Sequence, residues 1–193
     1  MTWPSVAISL TSWLLGDSLI TAKATTVREL EDAVQPALTV GKGRAVRGAR
    51  ARQLLRAAGY LRAGVDSAME SRSRMLLSLA GLPEPVVNFK MRDSSGIVTR
   101  RLDLSYPAYK LAIEYDGRQH AESDNQWQAD VTRREELDHD NWRLVVLLSG
   151  DVYRSPARTI TRVCMAMADC GMHVPALTEE WRRYFPGYGA AAS

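Results

Sequence analysis

The order of the segments along the chain predicts a mixed α/β (α+β) fold built around a four-stranded sheet. Three strand-like segments lie close together at 86–92, 97–104 and 110–116 and are separated by short turns. A long polar helical segment follows, and after it comes a continuous apolar, β-branched run at 142–148. Such a run is typical of a strand buried on both faces, and a helical crossover would let it lie parallel to an earlier strand. We therefore expect an antiparallel meander that is extended by one parallel strand and flanked by helices.

Composition restricts the function classes. The chain has 193 residues, of which 46% are hydrophobic and 24% charged, and these values exclude wholesale disorder. No apolar run reaches the length that a bilayer demands, so we expect no membrane partner. Cys164 and Cys170 do not have the spacing of a zinc or redox pair, which favours a reduced, cytoplasmic protein. The net charge of +3 favours anionic partners without identifying one.

The first 65 residues predict a small, helical and basic extension. Pro4 suits the first turn of a helix and Gly16 its end, and Thr26 to Glu29 have the spacing of a capping box that would begin a second helix. From 33 to 65 there is no acid but seven cations, with apolar residues at helical spacing. A solvated face and a phosphate-binding surface both fit this pattern. Its candidate DNA contacts are Arg44, Arg47, Arg52 and Arg56.

Capping and breaking residues predict the helices of the second half. Ser67 is placed to begin a helix that ends near Gly81, and further helices are expected at 124–140 and 157–170. Turns at 93–96 and around 106–107 would connect the strands of the meander. The breaks at Gly64 and Asp66 separate the extension from the core, and a C-terminal tail forms a third part. These are the extension over 1–65, a core over 66–172 and a C-terminal tail over 173–193.

Alternation of side chains along the second and third strands predicts that three acids meet on one face of the sheet. In the second strand, Leu102 and Leu104 point to one side and Asp103 to the other. In the third strand, Glu114 and Asp116 lie on the face opposite to its apolar residues. If the apolar faces of the hairpin meet, the three carboxylates converge.

Three neighbouring carboxylates repel one another unless a cation neutralises them. Oxygen ligands suit Mg²⁺ or Mn²⁺, and hydrolysis of a phosphodiester by metal-activated water is the chemistry that uses such a site. A polar, solvated sheet face with ordinary acids is the alternative interpretation.

Several motifs, in order, resemble those of a known nuclease family. They include Arg101-Leu102-Asp103-Leu104 and Ile113-Glu114-Tyr115-Asp116-Gly117 with His120, together with 69–72, 80–85 and 141–143. The series resembles the very-short-patch-repair-like endonucleases, a branch of the PD-(D/E)XK nuclease superfamily, over about residues 67 to 170. The resemblance implies a restriction-endonuclease-like core, DNA as the substrate, and Mg²⁺ (or Mn²⁺) without a small-molecule cofactor.

The resemblance also implies roles for single residues. Asp103 and Glu114 match the two strand acids that hold the metal, and Glu70 occupies the place of a helix-borne acid, although it is also spaced to cap its helix with Ser67. Asp116 stands where the family has a lysine, and we expect it to be a third metal ligand. Lys110, Gln119 and His120 are candidates for orienting the attacking water, and His120 could equally be a phosphate contact or a surface histidine.

The long helix carries a polar stripe of Gln126, Asp130 and Arg134, which fits either a DNA contact or an ion-pair ladder, whereas Arg133 is expected to point elsewhere. Arg101 is expected beside the scissile phosphate. With the four arginines of the extension, the candidate DNA contacts are Arg101, Lys110, Gln126 and Arg134.

The sequence therefore predicts a metal-dependent DNA endonuclease. One rival interpretation is a catalytically inactive nuclease-fold module that binds DNA in regulation or defence, because the family's lysine is missing. Another is a glycosidase-like carboxylate pair, which the aromatic content of only 7% disfavours. A homodimer is left open, since single domains of this kind often dimerise to cut both strands.

Overall fold

The computed structural model describes residues 10–34, 58–117 and 124–187. The chain divides into two compact units, Met1–Ser71 and Arg72–Ser193. The basic arginines of the extension, from Arg44 to Arg56, lie outside the described residues, as do Gln119 and His120.

The first unit contains helix α1 (Leu10–Thr21), helix α2 (Val27–Val34) and the segment that leads into the core. The expected end of the first helix at Gly16 is wrong, because α1 continues for five further residues. A Cβ atom at Gly16 would lie 2.5 Å from Leu61 Cδ2, so this glycine allows the helix to pack closely against Leu61. The carboxylate of Asp17 accepts hydrogen bonds from the backbone N–H of Arg62 (2.8 Å) and the hydroxyl of Ser71 (2.6 Å), which ties α1 to the following segment.

The capping box at the start of α2 is confirmed. The backbone N–H of Glu29 donates to Thr26 Oγ1 (3.1 Å), and the N–H of Thr26 donates to the Glu29 carboxylate (2.8 Å). This backbone hydrogen bond from Thr26, with further hydrogen bonds from the Thr25 and Thr26 side chains, lowers the pKa of Glu29.

Helix α3 (Ala68–Leu79) begins after Ser67, as expected, and ends where Gly81 adopts a φ of +86°. Its apolar side is fully buried, and the residues concerned are Met75, Leu76, Leu77 and Leu79. The tail also packs here, because the backbone N–H and the hydroxyl of Thr178 donate to the carbonyl oxygens of Ala80 (2.9 Å) and Leu79 (2.6 Å).

The four strands form one mixed sheet. They are β1 (Val86–Arg92), β2 (Val98–Tyr106), β3 (Leu111–Tyr115) and β4 (Arg143–Leu147), in the spatial order β1-β2-β3-β4. Neighbouring strands are antiparallel except β3 and β4, which are parallel. The predicted meander with one added parallel strand is therefore confirmed. A 3-10 turn (Pro107–Tyr109) connects β2 to β3.

Helix α4 (Asp124–His139) is the crossover between the parallel strands and covers one face of the sheet. Its residue Leu137 forms a buried cluster with Leu102, Ala112 and Trp142, and Phe89 packs on Trp142 with the ring centroids 6.0 Å apart. This cluster anchors α4 across β2, β3 and β4 and so determines which of its side chains face the sheet.

The last elements in the described part of the chain are helix α5 (Ser149–Tyr153), helix α6 (Pro156–Asp169) and a 3-10 turn (Glu180–Arg183). Helix α6 was expected from the sequence, whereas the two short elements, α5 and the 3-10 turn, were not. Arg162 of α6 donates to the carbonyl oxygen of Val146 (3.0 Å) and pairs with Asp151 (2.9 Å), so it holds α5 and α6 against the edge strand β4. None of the helices described is long and apolar enough to cross a membrane.

Candidate functional site

A cleft of about 250 Å³ lies between the sheet and α4 and contains all three acids predicted to converge. It is lined by Asp103, Glu114, Tyr115, Asp116, Gly117, Arg133, Arg134, Leu144 and Val146. The carboxylates come from β2 and from the end of β3, and the facing helix contributes two consecutive arginines. The cleft thus combines concentrated negative charge with cations on the opposite wall.

Asp103 lies where β2 and β3 separate. The ladder between these strands runs from Tyr106 and Leu111 to Leu104 and Ile113. At the next position a side chain replaces the backbone carbonyl as the acceptor, because the N–H of Tyr115 donates to Asp103 Oδ2 (3.0 Å). This hydrogen bond holds the carboxylate at the mouth of the opening between the strands.

The alternation expected along β2 is interrupted at Asp103. Leu102 belongs to the cluster under α4 together with Ala112, whereas Leu104 pairs with Ile113, which lies on the other face of the sheet. The expectation that Leu102 and Leu104 share a face is therefore wrong. On β1, the residue opposite Asp103 is Asn88, and its φ of +47° shows that both strands of the hairpin are irregular at this level.

Glu114 is the most buried of the three acids, and it is paired with a helix arginine. Its side chain is 11% exposed, and Arg133 Nη2 donates to its Oε1 at 2.8 Å. The expectation that Arg133 points elsewhere is wrong. A carboxylate withdrawn from water needs a cation or several hydrogen bonds, and Arg133 supplies both charge and a donor. The two consecutive arginines of α4, Arg133 and Arg134, were the indication in the sequence that this helix supplies a cation to the site.

Asp116 follows β3 at the rim of the cleft. Its backbone N–H donates to the carbonyl oxygen of Leu147 (2.8 Å), which prolongs the parallel ladder by one hydrogen bond and aligns the residue with the end of β4. Burial raises the pKa of the neighbouring Tyr115, and Tyr153 and the charge of Asp116 raise it further. Asp116 itself is half-buried and lines the cleft beside Asp103 and Glu114.

The oxygen donors of the cleft fit Mg²⁺ or Mn²⁺ in chemical type. Within the described ranges, however, no three His, Cys, Asp or Glu side chains form a ready-made metal cluster. The geometry gives a reason, since Glu114 is turned to Arg133 and Asp103 to the backbone of Tyr115. A metal at this site would compete with Arg133 for the carboxylate of Glu114, whose Oε1 accepts the arginine hydrogen bond.

Several predicted site residues lie away from the cleft. Lys110 is an exposed residue between the 3-10 turn and β3, with a φ of +50°, and its ammonium group donates to the carbonyl oxygen of Asp140 (2.9 Å). Arg101 is exposed on β2, opposite Lys90 of β1, and does not line the cleft. Gln126 belongs to α4, but its side chain is outside what the structure describes.

Glu70 lies in the first unit and takes part in capping α3. Its backbone N–H donates to Ser67 Oγ (3.1 Å), and its carboxylate accepts the N–H of Asp66 (3.0 Å). The capping interpretation of Glu70 is therefore correct, and its role at a metal stays a prediction.

Comparison with known proteins defines no family for this chain. No family model and no solved structure matches it. Two uncharacterized proteins of Mycobacterium tuberculosis, from strains CDC 1551 / Oshkosh and ATCC 25618 / H37Rv, are each 31% identical to it over 98 residues. The matched segment is 51% of this chain but only 36% of each relative's length. The fold and the cleft together define a mixed α/β protein with a carboxylate and arginine site.

Proposed function

We propose that this protein is a metal-dependent DNA endonuclease that hydrolyses phosphodiester bonds with a metal-activated water. The observation that carries the proposal is the meeting of Asp103, Glu114 and Asp116 in one cleft that faces Arg133 and Arg134. The acids suit a divalent cation, and the arginines suit the phosphate oxygens of a substrate. The resemblance to the very-short-patch-repair-like endonucleases over residues 67 to 170 supports the same activity.

Asp103 and Glu114 would hold the Mg²⁺ or Mn²⁺ ion, and Asp116 would add a third carboxylate at the rim. The metal, when bound, supplies an activated water and neutralises charge on the phosphate. The Tyr115 N–H fixes the Asp103 carboxylate before substrate arrives, which reduces the reorganisation needed in the reaction. Because water is the nucleophile, no covalent enzyme intermediate forms.

Arg133 takes the electrostatic place of the family's missing lysine. It is the cation in contact with the second strand acid, whereas Lys110 is bonded to the backbone of Asp140. A guanidinium offers hydrogen-bond donors and no acceptor, so Arg133 can stabilise developing charge but cannot act as a general base. In this proposal Glu114 would be a metal ligand, and Arg133 would then be available to contact a phosphate oxygen of the substrate.

A second candidate function is a catalytically inactive, nuclease-fold DNA-binding module with a regulatory or defence role. The ion pair between Glu114 and Arg133 favours it, because a protein cation already neutralises the acid that a metal would need. This module would bind DNA without metal, and its binding would survive Asp103→Asn. Cytoplasmic location and a homodimer stay predictions in either case.

Nicking of supercoiled plasmid tests the proposal. Wild type is expected to nick in Mg²⁺ or Mn²⁺ and to stop in EDTA, while Asp103→Asn and Glu114→Gln each lower the rate by about 100-fold or more. The matched control is Asp138→Asn, which removes an exposed carboxylate from α4 and should nick normally. Thermal melts establish that each variant is folded.

Two outcomes contradict the endonuclease. Wild type that is silent in both metals but retards DNA in a gel supports the inactive module. Nicking that persists in Asp103→Asn and Glu114→Gln at the wild-type rate places the activity elsewhere.

A further inference from the structure

Helix α3 carries a half-buried arginine, Arg72, that has no acid to neutralise its charge. Among the residues that the structure describes, its side chain forms neither a hydrogen bond nor an ion pair. By contrast Arg74, two residues further along the same helix, pairs with Glu84 at 2.8 Å. The charge of Arg72 is therefore available to a ligand.

The guanidinium of Arg72 is held over an aromatic ring instead. Its Cζ lies 5.2 Å from the ring centroid of Tyr153, the last residue of α5, and Tyr153 is 43% exposed. A cation–π contact attracts the charge and restricts the side chain, but the ring takes none of the N–H donors in an ordinary hydrogen bond. Arg72 is thus oriented in advance and still offers a fork of donors, which matches the oxygens of a phosphate.

Arg72 and Tyr153, both in the second unit, lie near the end of the sheet at which the cleft opens. Strands β3 and β4 end level with each other, since the backbone N–H of Asp116 donates to the carbonyl oxygen of Leu147 (2.8 Å). Helix α5 begins two residues after β4, and its five residues span only about 7.5 Å. Tyr153 is therefore close to the strand end that carries Asp116.

Tyr115, the last residue of β3, connects this pair to the cleft. Burial raises the pKa of its hydroxyl group, and the charges of Tyr153 and Asp116 raise it further, so both groups are near. A Cβ atom on Gly117 would lie 3.1 Å from Cε1 of the Tyr115 ring, which therefore lies against the backbone at the rim. Tyr115 and Gly117 both line the cleft. An anion on Arg72 would thus lie around the strand end from the carboxylates.

We propose that Arg72, held in place by Tyr153, binds a phosphate of DNA that neighbours the one in the cleft. The inference rests on the proposed function for its choice of DNA as the anion. Successive phosphates of one strand advance by about 3.4 Å along the duplex axis, so the neighbours of the scissile phosphate pass the rim of the cleft. A contact of this kind aligns the strand without reading its sequence.

Tyr153 acts through Arg72 and is a positioning residue. Tyr153→Phe keeps the ring and should keep the affinity for DNA, whereas Tyr153→Leu should lower it by about 2- to 5-fold. In an Arg72→Gln background, Tyr153→Leu should have no further effect, because no guanidinium is left to position. A tyrosine with a purely structural role would lower the affinity equally in both backgrounds.

The experiment measures the affinity of the full chain for a 30-base-pair duplex at several salt concentrations, in EDTA so that no cleavage occurs. Arg72→Gln is expected to lower the affinity by about 5- to 10-fold at 0.1 M salt and to reduce the slope of log affinity against log salt by about 1. Arg72→Lys keeps the charge but loses the fork, so it should keep the slope and lower the affinity by about 2- to 3-fold.

The matched control is Arg92→Gln, which removes one exposed charge at the tip of the β1–β2 hairpin and should change neither quantity. Thermal melts establish that Arg72→Gln is folded, and Arg72→Lys supplies a second variant that retains the charge.

The outcomes separate this inference from the proposed function. Arg72→Gln with the wild-type slope overturns the phosphate site, whatever the plasmid assay shows. Equal losses from Tyr153→Leu with and without Arg72 overturn the positioning role of the ring. A slope reduced by Arg72→Gln in a protein that does not nick in Mg²⁺ or Mn²⁺ supports the site and overturns the nuclease. Wild type that binds no duplex overturns both.

Discussion

At the scale of single residues, the contact between Glu114 and Arg133 decides how the cleft works. Glu114 is nearly buried at 11% exposure, while Arg133 is 42% exposed and so lies partly in water. Water screens the pair, which makes its contribution to stability modest. The cost of leaving Glu114 without a cation is larger than the value of the pair itself, because the carboxylate would remain in a poorly hydrated place.

A double-mutant cycle on this pair tests that argument. Arg133→Gln should lower the free energy of unfolding by about 1–2 kcal/mol, because it leaves a buried carboxylate behind. Adding Glu114→Gln should recover much of the loss, since two amides can bond to each other. Urea unfolding of the four proteins measures the coupling energy, and strictly additive changes would contradict a direct interaction. Arg134→Gln, the neighbouring arginine of the cleft, is the control and should cost less than about 0.5 kcal/mol.

At the scale of elements, close packing overrides a local helix-breaking signal in α1. Glycine in a helix costs about 1 kcal/mol relative to alanine, and this preference led to the expectation that the helix ends at Gly16. The helix continues because the missing side chain leaves room for Leu61, which is 7% exposed. Tertiary contact within the first unit thus compensates for the low helix propensity.

Gly16→Ala is therefore expected to have opposite effects in two backgrounds. In wild type the new methyl group meets Leu61, and the free energy of unfolding falls by about 1 kcal/mol despite the better helix propensity. In the Leu61→Ala background the space is empty, and the same change should raise stability by up to about 1 kcal/mol. Urea unfolding followed by circular dichroism measures both effects. The same sign in both backgrounds would show that packing against Leu61 does not explain the glycine.

At the scale of the whole molecule, the sheet and its cleft are built entirely from the second unit. All four strands, α4 and the three acids lie between residues 86 and 147, and the partners of the acids described above, Tyr115, Arg133 and Leu147, come from the same range. The positive charge of the first 65 residues has a separate predicted role, which is to hold DNA through its phosphates.

A chain that begins at Asp66 tests this division. It retains Ser67 as the cap of α3 and should unfold cooperatively. Its nicking rate at saturating DNA should equal that of the full chain, while its affinity at 0.1 M salt should fall by about tenfold or more, because the basic segment is gone. Loss of turnover at saturation in a folded fragment would show that the first 65 residues contribute to the reaction itself.

Local patterns in the sequence predicted the large elements of the fold well. The strand expected at 86–92 is found at Val86–Arg92, and the crossover helix expected at 124–140 is found at Asp124–His139. The strand expected at 142–148 is found at Arg143–Leu147, but the expectation that it is buried on both faces is wrong, because β4 is an edge strand whose residues Leu144 and Val146 are only half-buried. These elements depend on periodicity, turns and β-branched runs, which neighbouring residues determine. The short helix α5 has only five residues, too few for a period to emerge.

The order of the elements, the mixed sheet and the meeting of Asp103, Glu114 and Asp116 could all be predicted from local patterns, because alternation along two neighbouring strands is a local property. The contact of Arg133 with Glu114, the break in alternation at Asp103 and the pairing of Lys90 with Arg101 became visible only in the folded protein. Each of these depends on how separate elements come into register. Helix rotation and strand pairing are determined by burial across the whole core, which no local pattern encodes.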